Sequence, residues 1–189
     1  MRICIFGASG VEIDKEYVKR TEALAEKLAR RGHSLIFGGG QNGLMGASAR
    51  GFTKGKGKIV GVAPRFFDVP GILYDKCDEF VYPDSMRDRK KYMEDNADAF
   101  IVVPGGIGTY EEFFEVLTLK QLARHGKPIA LYNINGFFND LVKLIEDGTN
   151  SGFIREQTLS LFECTDSDDE ITAVVEKGEM DIEQIKFHD

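Results

Sequence analysis

The amino-acid sequence predicts an α/β fold, a doubly wound and mainly parallel sheet of about seven strands with helices on both faces. First, short apolar runs alternate regularly with longer amphipathic segments, which indicates strand–helix–strand units joined by right-handed crossovers. Second, the apolar runs are continuous, as expected of strands that helices cover on both sides. With 189 residues, the chain is expected to form one domain spanning 1–189.

The first half of the chain contains four predicted strands, each an apolar run that ends in glycine or proline: RICIFG, HSLIFGGG, KIVGVAP and EFVYP. The first predicted helix, DKEYVKRTEALAEKLARRG, has Asp14 as a candidate N-cap and Gly32 as a C-terminal stop. The second helix, GLMGASARGFTKG, is rich in small residues. The third, SMRDRKKYMEDNA, is expected to be capped by Ser85.

The second half continues the alternation. AFIVVPGG is the predicted fifth strand and PIALYN the sixth, with the helix TYEEFFEVLTLKQLARHG between them. The helix FFNDLVKLIEDG follows, and then a last strand, SLFEC. A final helix is expected to start near Asp166 or Ser167.

Composition and charge exclude several classes of function. The net charge of −7 argues against a general nucleic-acid binder, which needs a basic surface. No apolar run approaches the roughly 20 residues of a membrane span, and glycine breaks the opening MRICIFGAS too early for a signal peptide. The scattered Cys4, Cys77 and Cys164 fit neither disulfides nor a metal site. We therefore expect a cytoplasmic protein without a membrane segment or a metal.

Glycine-rich turns follow several predicted strands, where ligands bind in doubly wound folds. They include Gly7–Gly10, Gly38–Gly40 and Pro104–Gly106. The stretch GGGQNGLMG lacks the lysine and Ser/Thr of a Walker A loop, and GASGVE lacks the spacing of a dinucleotide fingerprint. What remains is two glycine-rich turns, each entering a helix whose first N–H groups could bind an anion.

The segment PGGIGTYEE allows two interpretations. Thr109 could cap the following helix, with Glu112 reaching back to its amide in a capping box. Alternatively, the glycines could let a ligand approach the backbone closely. The two roles are compatible, because a capping carboxylate can also meet a bound ligand.

Arg89 shares one helical face with Met86 and Met93, at positions i, i+3 and i+7, instead of joining the polar face. Its stem could simply cover apolar surface. The other interpretation is a guanidinium directed into a cleft, where it would match a phosphate or a carboxylate.

Three motifs, in this order, resemble the LOG (Lonely Guy) family. PGGIGTYEE (Pro104–Glu112) resembles its signature P-G-G-x-G-T-x-x-E, FGGGQNGLMG (Phe37–Gly46) is similar to Y-G-G-G-x-x-G-L-M-G, and MRDRKKYM (Met86–Met93) is similar to M-H-x-R-K-x-x-M. The resemblance runs from about Met1 to Arg155. It weakens in the loop FFDVPGILYDKCDE, where Gly71 stands in place of an expected ligand-contacting glutamate.

The resemblance implies a Rossmann-like homodimer that hydrolyses nucleoside 5′-monophosphates to free base and ribose 5-phosphate. Either a cytokinin riboside monophosphate or AMP is the implied substrate. Many members carry an older label, lysine decarboxylase. A pyridoxal-phosphate decarboxylase would need a Schiff-base lysine and a partner for the pyridinium nitrogen, which nothing in the sequence marks, so no cofactor is expected.

Carried over position by position, the resemblance makes Arg89 and Glu112 the catalytic residues. It implies these substrate-binding residues: Lys90, Gly106, Ile107, Gly108, Thr109, Tyr110, Glu111 and Thr118. The glycine-rich turns add Gly105, Gly39, Gly40 and Ser9. We expect the 5′-phosphate on the N–H groups of Gly105 to Thr109 and the Glu112 carboxylate beside the ribose, where positive charge develops as the bond breaks.

The helix after the signature carries apolar residues on more than one face: Phe113, Phe114, Val116, Leu117, Leu119 and Leu122. Burial under the C-terminal segment would explain them, but we favour a two-fold homodimer through the helices that follow Ser85 and Thr109. A non-catalytic nucleotide or cofactor carrier, or a sensor of the same fold, is the alternative function. The pairing of Arg89 with Glu112 favours an enzyme, since phosphate binding alone needs no carboxylate.

Overall fold

The computed structural model describes residues 1–185 of the chain; residues 186–189 of the predicted domain lie outside the described part. The strands are β1 (Arg2–Phe6), β2 (Ser34–Phe37), β3 (Ile59–Val62), β4 (Glu79–Val81), β5 (Ala99–Val102), β6 (Ile129–Tyr132) and β7 (Glu163–Thr165). The α-helices are α1 (Lys15–Arg30), α2 (Gly43–Gly55), α3 (Met86–Asn96), α4 (Ile107–Gln121), α5 (Asn139–Asn150), α6 (Asp168–Glu176) and α7 (Ile182–Ile185).

The seven strands form one sheet in the order β4-β3-β2-β1-β5-β6-β7, and every neighbouring pair is parallel. The chain winds outward from β1 to β4, crosses back to β5 beside β1, and then winds outward in the other direction. The topological switch point therefore lies between β1 and β5, and the turns after these two strands meet there. The predicted doubly wound α/β fold is confirmed.

Helices cover both faces of the sheet. Because side chains alternate across each strand, neighbouring residues of one strand belong to two different hydrophobic cores. Ile3 and Ile5 of β1 belong to a core cluster that contains residues of α1, α2 and α6. Cys4 and Phe6 belong to the opposite cluster, with residues of α3, α4 and α5. This burial of both faces explains why the strands are continuously apolar.

Two helix starts follow the predicted capping chemistry. The side chain of Asp14 accepts a hydrogen bond from the amide of Glu16, and Ser85 accepts one from the amide of Asp88. Ser167 likewise accepts from the amide of Glu170 at the start of α6. Each oxygen satisfies one of the N–H groups that a helix start leaves without a partner.

The predicted capping box at Thr109 is wrong. Helix α4 begins two residues earlier, at Ile107, with Gly106 as its N-cap, so Thr109 is a buried residue of the first helical turn. The amide of Thr109 donates to the carbonyl of Gly106 over 3.0 Å. A side chain at position 105 would overlap the Thr109 hydroxyl, so Gly105 is required by this packing.

The last strand also differs from its prediction, SLFEC. Residues Glu156–Ser160 form a 3₁₀ helix, and β7 begins only at Glu163. Leu161 and Phe162 are buried without joining the ladder, and the Phe162 ring packs edge-on against Phe113 of α4. The apolar run therefore reflects packing rather than strand pairing. In residues 1–185 no helix is long and apolar enough to cross a membrane.

Candidate active site

The turns after β1 and β5 are joined by the backbone at the switch point. The amide of Ala8 donates to the carbonyl of Pro104 over 3.1 Å. The carbonyl of Ala8 in turn accepts from the amides of Leu44 and Met45, at 2.9 and 3.0 Å, and so occupies the start of α2. The expectation that α2 offers its first N–H groups to an anion is therefore wrong for Leu44 and Met45.

Helix α4 differs from α2 at its start. The first N–H groups of a helix have no acceptor inside the helix. At α4 the amides of Thr109 and Tyr110 donate to Gly106, whereas among residues 1–185 no acceptor is found for the amides of Ile107 and Gly108. The side chain of Ile107 is 83% exposed, so this helix start is open to solvent. Of the two glycine-rich turns, the one before α4 keeps the capacity to bind an anion.

A cavity of about 460 Å³ lies at the switch point, beside the start of α4. The predicted site residues that line it come from four separate segments of the chain: Ser9, Gly40, Arg89, Gly106, Gly108, Thr109 and Glu112. Their convergence follows from the sheet order, which brings the carboxyl ends of β1, β2 and β5 together.

The other predicted site residues do not line this cavity. Lys90 is paired with Glu111 and with Glu115, the latter at 2.6 Å. Thr118 is exposed two turns further along α4, and Tyr110 packs edge-on against Phe138. Ile107 points to solvent, Gly39 is buried, and Gly105 lines a smaller neighbouring pocket.

Two backbone features hold the Arg89 side chain in the cavity wall. Its Nε donates to the carbonyl of Val62, at the end of β3, over 3.1 Å. A Cβ atom at position 38 would overlap the terminal nitrogen Nη2, so Gly38 is needed to admit the guanidinium. The side chain is 9% exposed, and Arg89 therefore does more than cover apolar surface with its stem.

Glu112 lies opposite Arg89, with Oε1 3.5 Å from Nη1 of the guanidinium. Its side chain is 12% exposed. Burial raises the pKa of Glu112 to about 7, although the positive charge of Arg89 opposes the shift. A carboxyl group with a pKa near neutrality, in a cavity and beside a fixed cation, is suited to proton transfer or to stabilising positive charge.

Apart from Asn42, the rest of the cavity wall is apolar, and sequence reasoning missed it. Phe67, Ile72 and Leu73 of the segment between β3 and β4 line it together with Met45 and Met86. The segment is held across the turn after β2 by hydrogen bonds from the amide of Gln41 to the carbonyl of Ile72 and from the amide of Tyr74 to that of Gly39, at 2.9 and 2.8 Å. The apolar residues of VPGILY were a sequence signal for this part of the wall, but no sequence pattern shows which residues they contact.

Metal ligands are not grouped in the described part of the chain. In residues 1–185, no three His, Cys, Asp or Glu side chains are close enough together to hold a metal ion. The reactive groups that the cavity does present are one carboxyl group, one guanidinium and the open start of a helix.

Fold and cavity together define a Rossmann-like α/β protein with a cavity at its topological switch point, where proteins of this class bind ligands. The chain belongs to the LOG family, whose family model, described as "possible lysine decarboxylase", matches residues 45–175. The probable cytokinin riboside 5′-monophosphate phosphoribohydrolase LOGL3 of Oryza sativa subsp. japonica is 37% identical over 81% of this chain and 72% of its own length.

A second relative extends the match over nearly the whole chain. The cytokinin riboside 5′-monophosphate phosphoribohydrolase LOG7 of Arabidopsis thaliana is 33% identical over 97% of this chain and 85% of its own length. Among solved structures, the molybdenum cofactor binding protein of Rippkaea orientalis has the same fold, with a TM-score of 0.71 at 20% identity, covering 93% of this chain and 95% of the other.

Proposed function

We propose that this protein hydrolyses the N-glycosidic bond of nucleoside 5′-monophosphates and releases the free base and ribose 5-phosphate. The observation that carries the proposal is the buried Glu112 carboxyl group, 3.5 Å from the Arg89 guanidinium in a cavity beside the open start of α4. The names of the curated relatives, which are phosphoribohydrolases of cytokinin riboside 5′-monophosphates, support the same class of reaction.

The phosphate is assigned to the start of α4. The free N–H groups of Ile107 and Gly108 and the positive end of the helix dipole favour an anion there. The absence of a side chain at Gly106 and Gly108 lets a phosphate reach the backbone. Lys90 would add a positive charge only after leaving its pairs with Glu111 and Glu115.

The base is assigned to the apolar part of the wall, formed by Met45, Phe67, Ile72, Leu73 and Met86. Such a surface holds a planar ring by dispersion and burial. It tolerates an apolar substituent on the base, so both AMP and a cytokinin riboside monophosphate remain candidate substrates. The phosphate at one end and the base at the other would place the ribose beside Glu112.

In the reaction, the bond between C1′ and the base nitrogen breaks and its electron pair leaves with the base, which takes up a proton. Water adds to C1′ and loses a proton. Positive charge develops on the sugar in between, and ionised Glu112 stabilises it and orients the attacking water, by analogy with glycoside hydrolysis. Arg89 favours the ionised form of the carboxylate and attracts negative charge on the substrate, and we give it no role as a proton donor.

Two other functions make different demands on this cavity. A pyridoxal-phosphate decarboxylase would need a lysine for the Schiff base, and no lysine lines the 460 Å³ cavity in the described part of the chain. A non-catalytic carrier would need the cavity but not the Glu112 carboxyl group beside Arg89. This alternative is kept because the Rippkaea orientalis protein, which shares the fold, is a molybdenum cofactor binding protein.

One experiment separates these functions. The purified protein is incubated with AMP, isopentenyladenosine monophosphate, other nucleoside monophosphates and lysine, and the products are followed by chromatography. Free base and ribose 5-phosphate in equal amounts support the proposal. Saturable nucleotide binding without base release would identify a carrier or a sensor, and formation of cadaverine would identify a decarboxylase.

We also propose that the protein is a homodimer through α3 and α4, in a reducing compartment such as the cytoplasm. Phe114 and Leu122 leave apolar surface exposed on α4 and at its C-cap, while Phe113, Val116 and Leu117 are buried. Light scattering should give twice the 21.1 kDa mass of the chain, and Leu122→Glu should shift it to the monomer. A 21.1 kDa wild-type particle would reject the dimer.

The proposal of a reducing compartment is supported by the cysteines: Cys4, Cys77 and Cys164 are all free thiols, which fits reducing conditions.

A further inference from the structure

A second cavity, of about 260 Å³, lies away from the switch point. It is formed where the end of α4 meets the start of β6, the segment that leads into β7, and the end of α6 with the residues that follow it. Its volume is below the roughly 300–1,000 Å³ of pockets for drug-sized ligands, so its occupant is small. No predicted site residue lines it. We call it the Lys120 cavity, after the one side chain of α4 in its wall.

Lys120 is 4% exposed, which is unusual for a lysine. In residues 1–185, no hydrogen-bond acceptor and no ion-pair partner lies within reach of its Nζ. Burial lowers the pKa of Lys120 to about 8, and the negative charge of Glu163 opposes this shift only in part. Glu163 is itself exposed and lies 3.5 Å from the ammonium group of Lys177.

Withdrawing an ammonium group from bulk water is costly where no acceptor replaces the water. Two polar side chains of the wall already have partners. The hydroxyl of Ser160, also in the wall, donates its proton to the carbonyl of Gln157, and the Glu163 carboxylate is shared with Lys177. The missing acceptor can be supplied by an anion bound in the cavity.

The remaining wall determines what kind of anion fits. Ile129, Leu161, Phe162, Val174 and Met180 give the cavity an apolar part of its lining. A fully hydrated inorganic anion would leave this lining in contact with water, whereas an apolar group would bury it. The complementary ligand has one negative end and a short apolar body.

We propose that the Lys120 cavity is a binding site for a small monocarboxylate with an apolar body, whose carboxylate accepts a hydrogen bond from Lys120 Nζ. Lys120 lies eight residues after Glu112 on α4, roughly 12 Å along the axis at 1.5 Å per residue. The two cavities are thus on one helix but separate, and the proposal does not depend on the proposed hydrolase activity.

The test uses isothermal titration calorimetry of the full-length protein with benzoate and isovalerate. Benzamide, which has the shape of benzoate without its charge, is the matched ligand control. We expect saturable binding of a carboxylate, at least about tenfold weaker binding of the amide, and at least about tenfold weaker carboxylate binding by Lys120→Met. Lys143→Met, at an exposed position of α5, should bind like the wild type.

Three results would overturn the proposal: no saturable binding of either carboxylate up to about 10 mM, equal binding of benzoate and benzamide, or unchanged binding by Lys120→Met. Because Lys120→Met removes a buried charge and keeps much of the side-chain volume, we expect it to fold. The comparison of acid with amide in the wild-type protein tests the charge requirement independently of that variant.

Discussion

Arg89 Nη1 lies 3.5 Å from Glu112 Oε1, while Nε of the same guanidinium donates to the carbonyl of Val62. The two side chains come from α3 and α4, which pack on the same face of the sheet. The packing of the helices and the end of β3 therefore fix the pair before any ligand arrives. Preorganised charges of this kind contribute most to catalysis, because they need no rearrangement during the reaction.

Replacing Glu112 with Gln should abolish base release, with a loss of at least about 100-fold in kcat, because the amide cannot carry the negative charge that stabilises the sugar. Chromatography of free base measures the rate, and circular dichroism checks that the variant is folded. Glu146→Gln, at an exposed position of α5 away from the cavity, is the control. A folded Glu112→Gln variant with wild-type activity would remove Glu112 from the mechanism.

Arg89→Ala should lower kcat/KM strongly for nucleoside monophosphates and less for the free nucleosides, since the lost charge faces the anionic part of the substrate. Arg87→Ala, on the exposed face of α3, should have little effect. Steady-state kinetics with both kinds of substrate make the comparison. An equal loss for monophosphate and nucleoside would show that Arg89 does not act on the phosphate.

Gly108→Ala separates ligand binding from folding. A Cβ atom at this position would meet no protein atom within 4 Å, so the free energy of unfolding should stay the same or rise by up to about 1 kcal/mol. The methyl group would instead project where the phosphate is proposed to approach the backbone, and KM should increase at least about tenfold. Gly10→Ala, also in open space but outside the cavity lining, is the control. Unchanged kinetics in a folded Gly108→Ala variant would move the phosphate elsewhere.

The activity should depend on the ionisation of Glu112. Its pKa is raised to about 7 by burial, and the reaction needs the carboxylate, so kcat/KM should rise with pH through about 7. Arg89→Ala should move this rise to higher pH, because Arg89 opposes the shift. A pH–rate profile that is flat or falling between pH 6 and about 8 would contradict the assignment.

Stability provides an independent check of the same pKa. The folded protein holds the Glu112 proton more tightly than the unfolded chain, so this group's favourable contribution is present below about pH 4.5 and is lost as pH rises through about 7. Glu112→Gln lacks this dependence. Thermal melts should therefore show the variant gaining stability relative to the wild type as pH increases over that range.

Much of the fold was predictable from the sequence, because strand burial and helix capping depend on neighbouring residues. Asp14 and Ser85 cap helices as predicted, and the last helix begins where expected, with Ser167 as its N-cap. Thr109 misled, because a threonine three residues before a glutamate fits a capping box equally well inside the first turn. The Thr109 side chain packs into the space left by the missing side chain of Gly105, and the sequence does not reveal this contact.

The site was predictable only where its residues stand in motifs. Arg89 and Glu112 were found because one breaks a helical pattern and the other follows a glycine-rich turn. Phe67, Ile72 and Leu73 were missed, because backbone hydrogen bonds between distant segments place them in the wall. Lys120 was missed for a related reason, since most of the cavity wall around it comes from residues that follow it by 40 positions or more.

The central claim is that the start of α4 binds the phosphate while Glu112 faces the ribose. The most direct measurement is a crystal structure of the Glu112→Gln variant with AMP bound. We expect phosphate oxygens within hydrogen-bond distance of the Ile107 and Gly108 amides, and C1′ next to the side chain at position 112. A phosphate bound elsewhere, or a residue 112 side chain directed away from the sugar, would contradict the account.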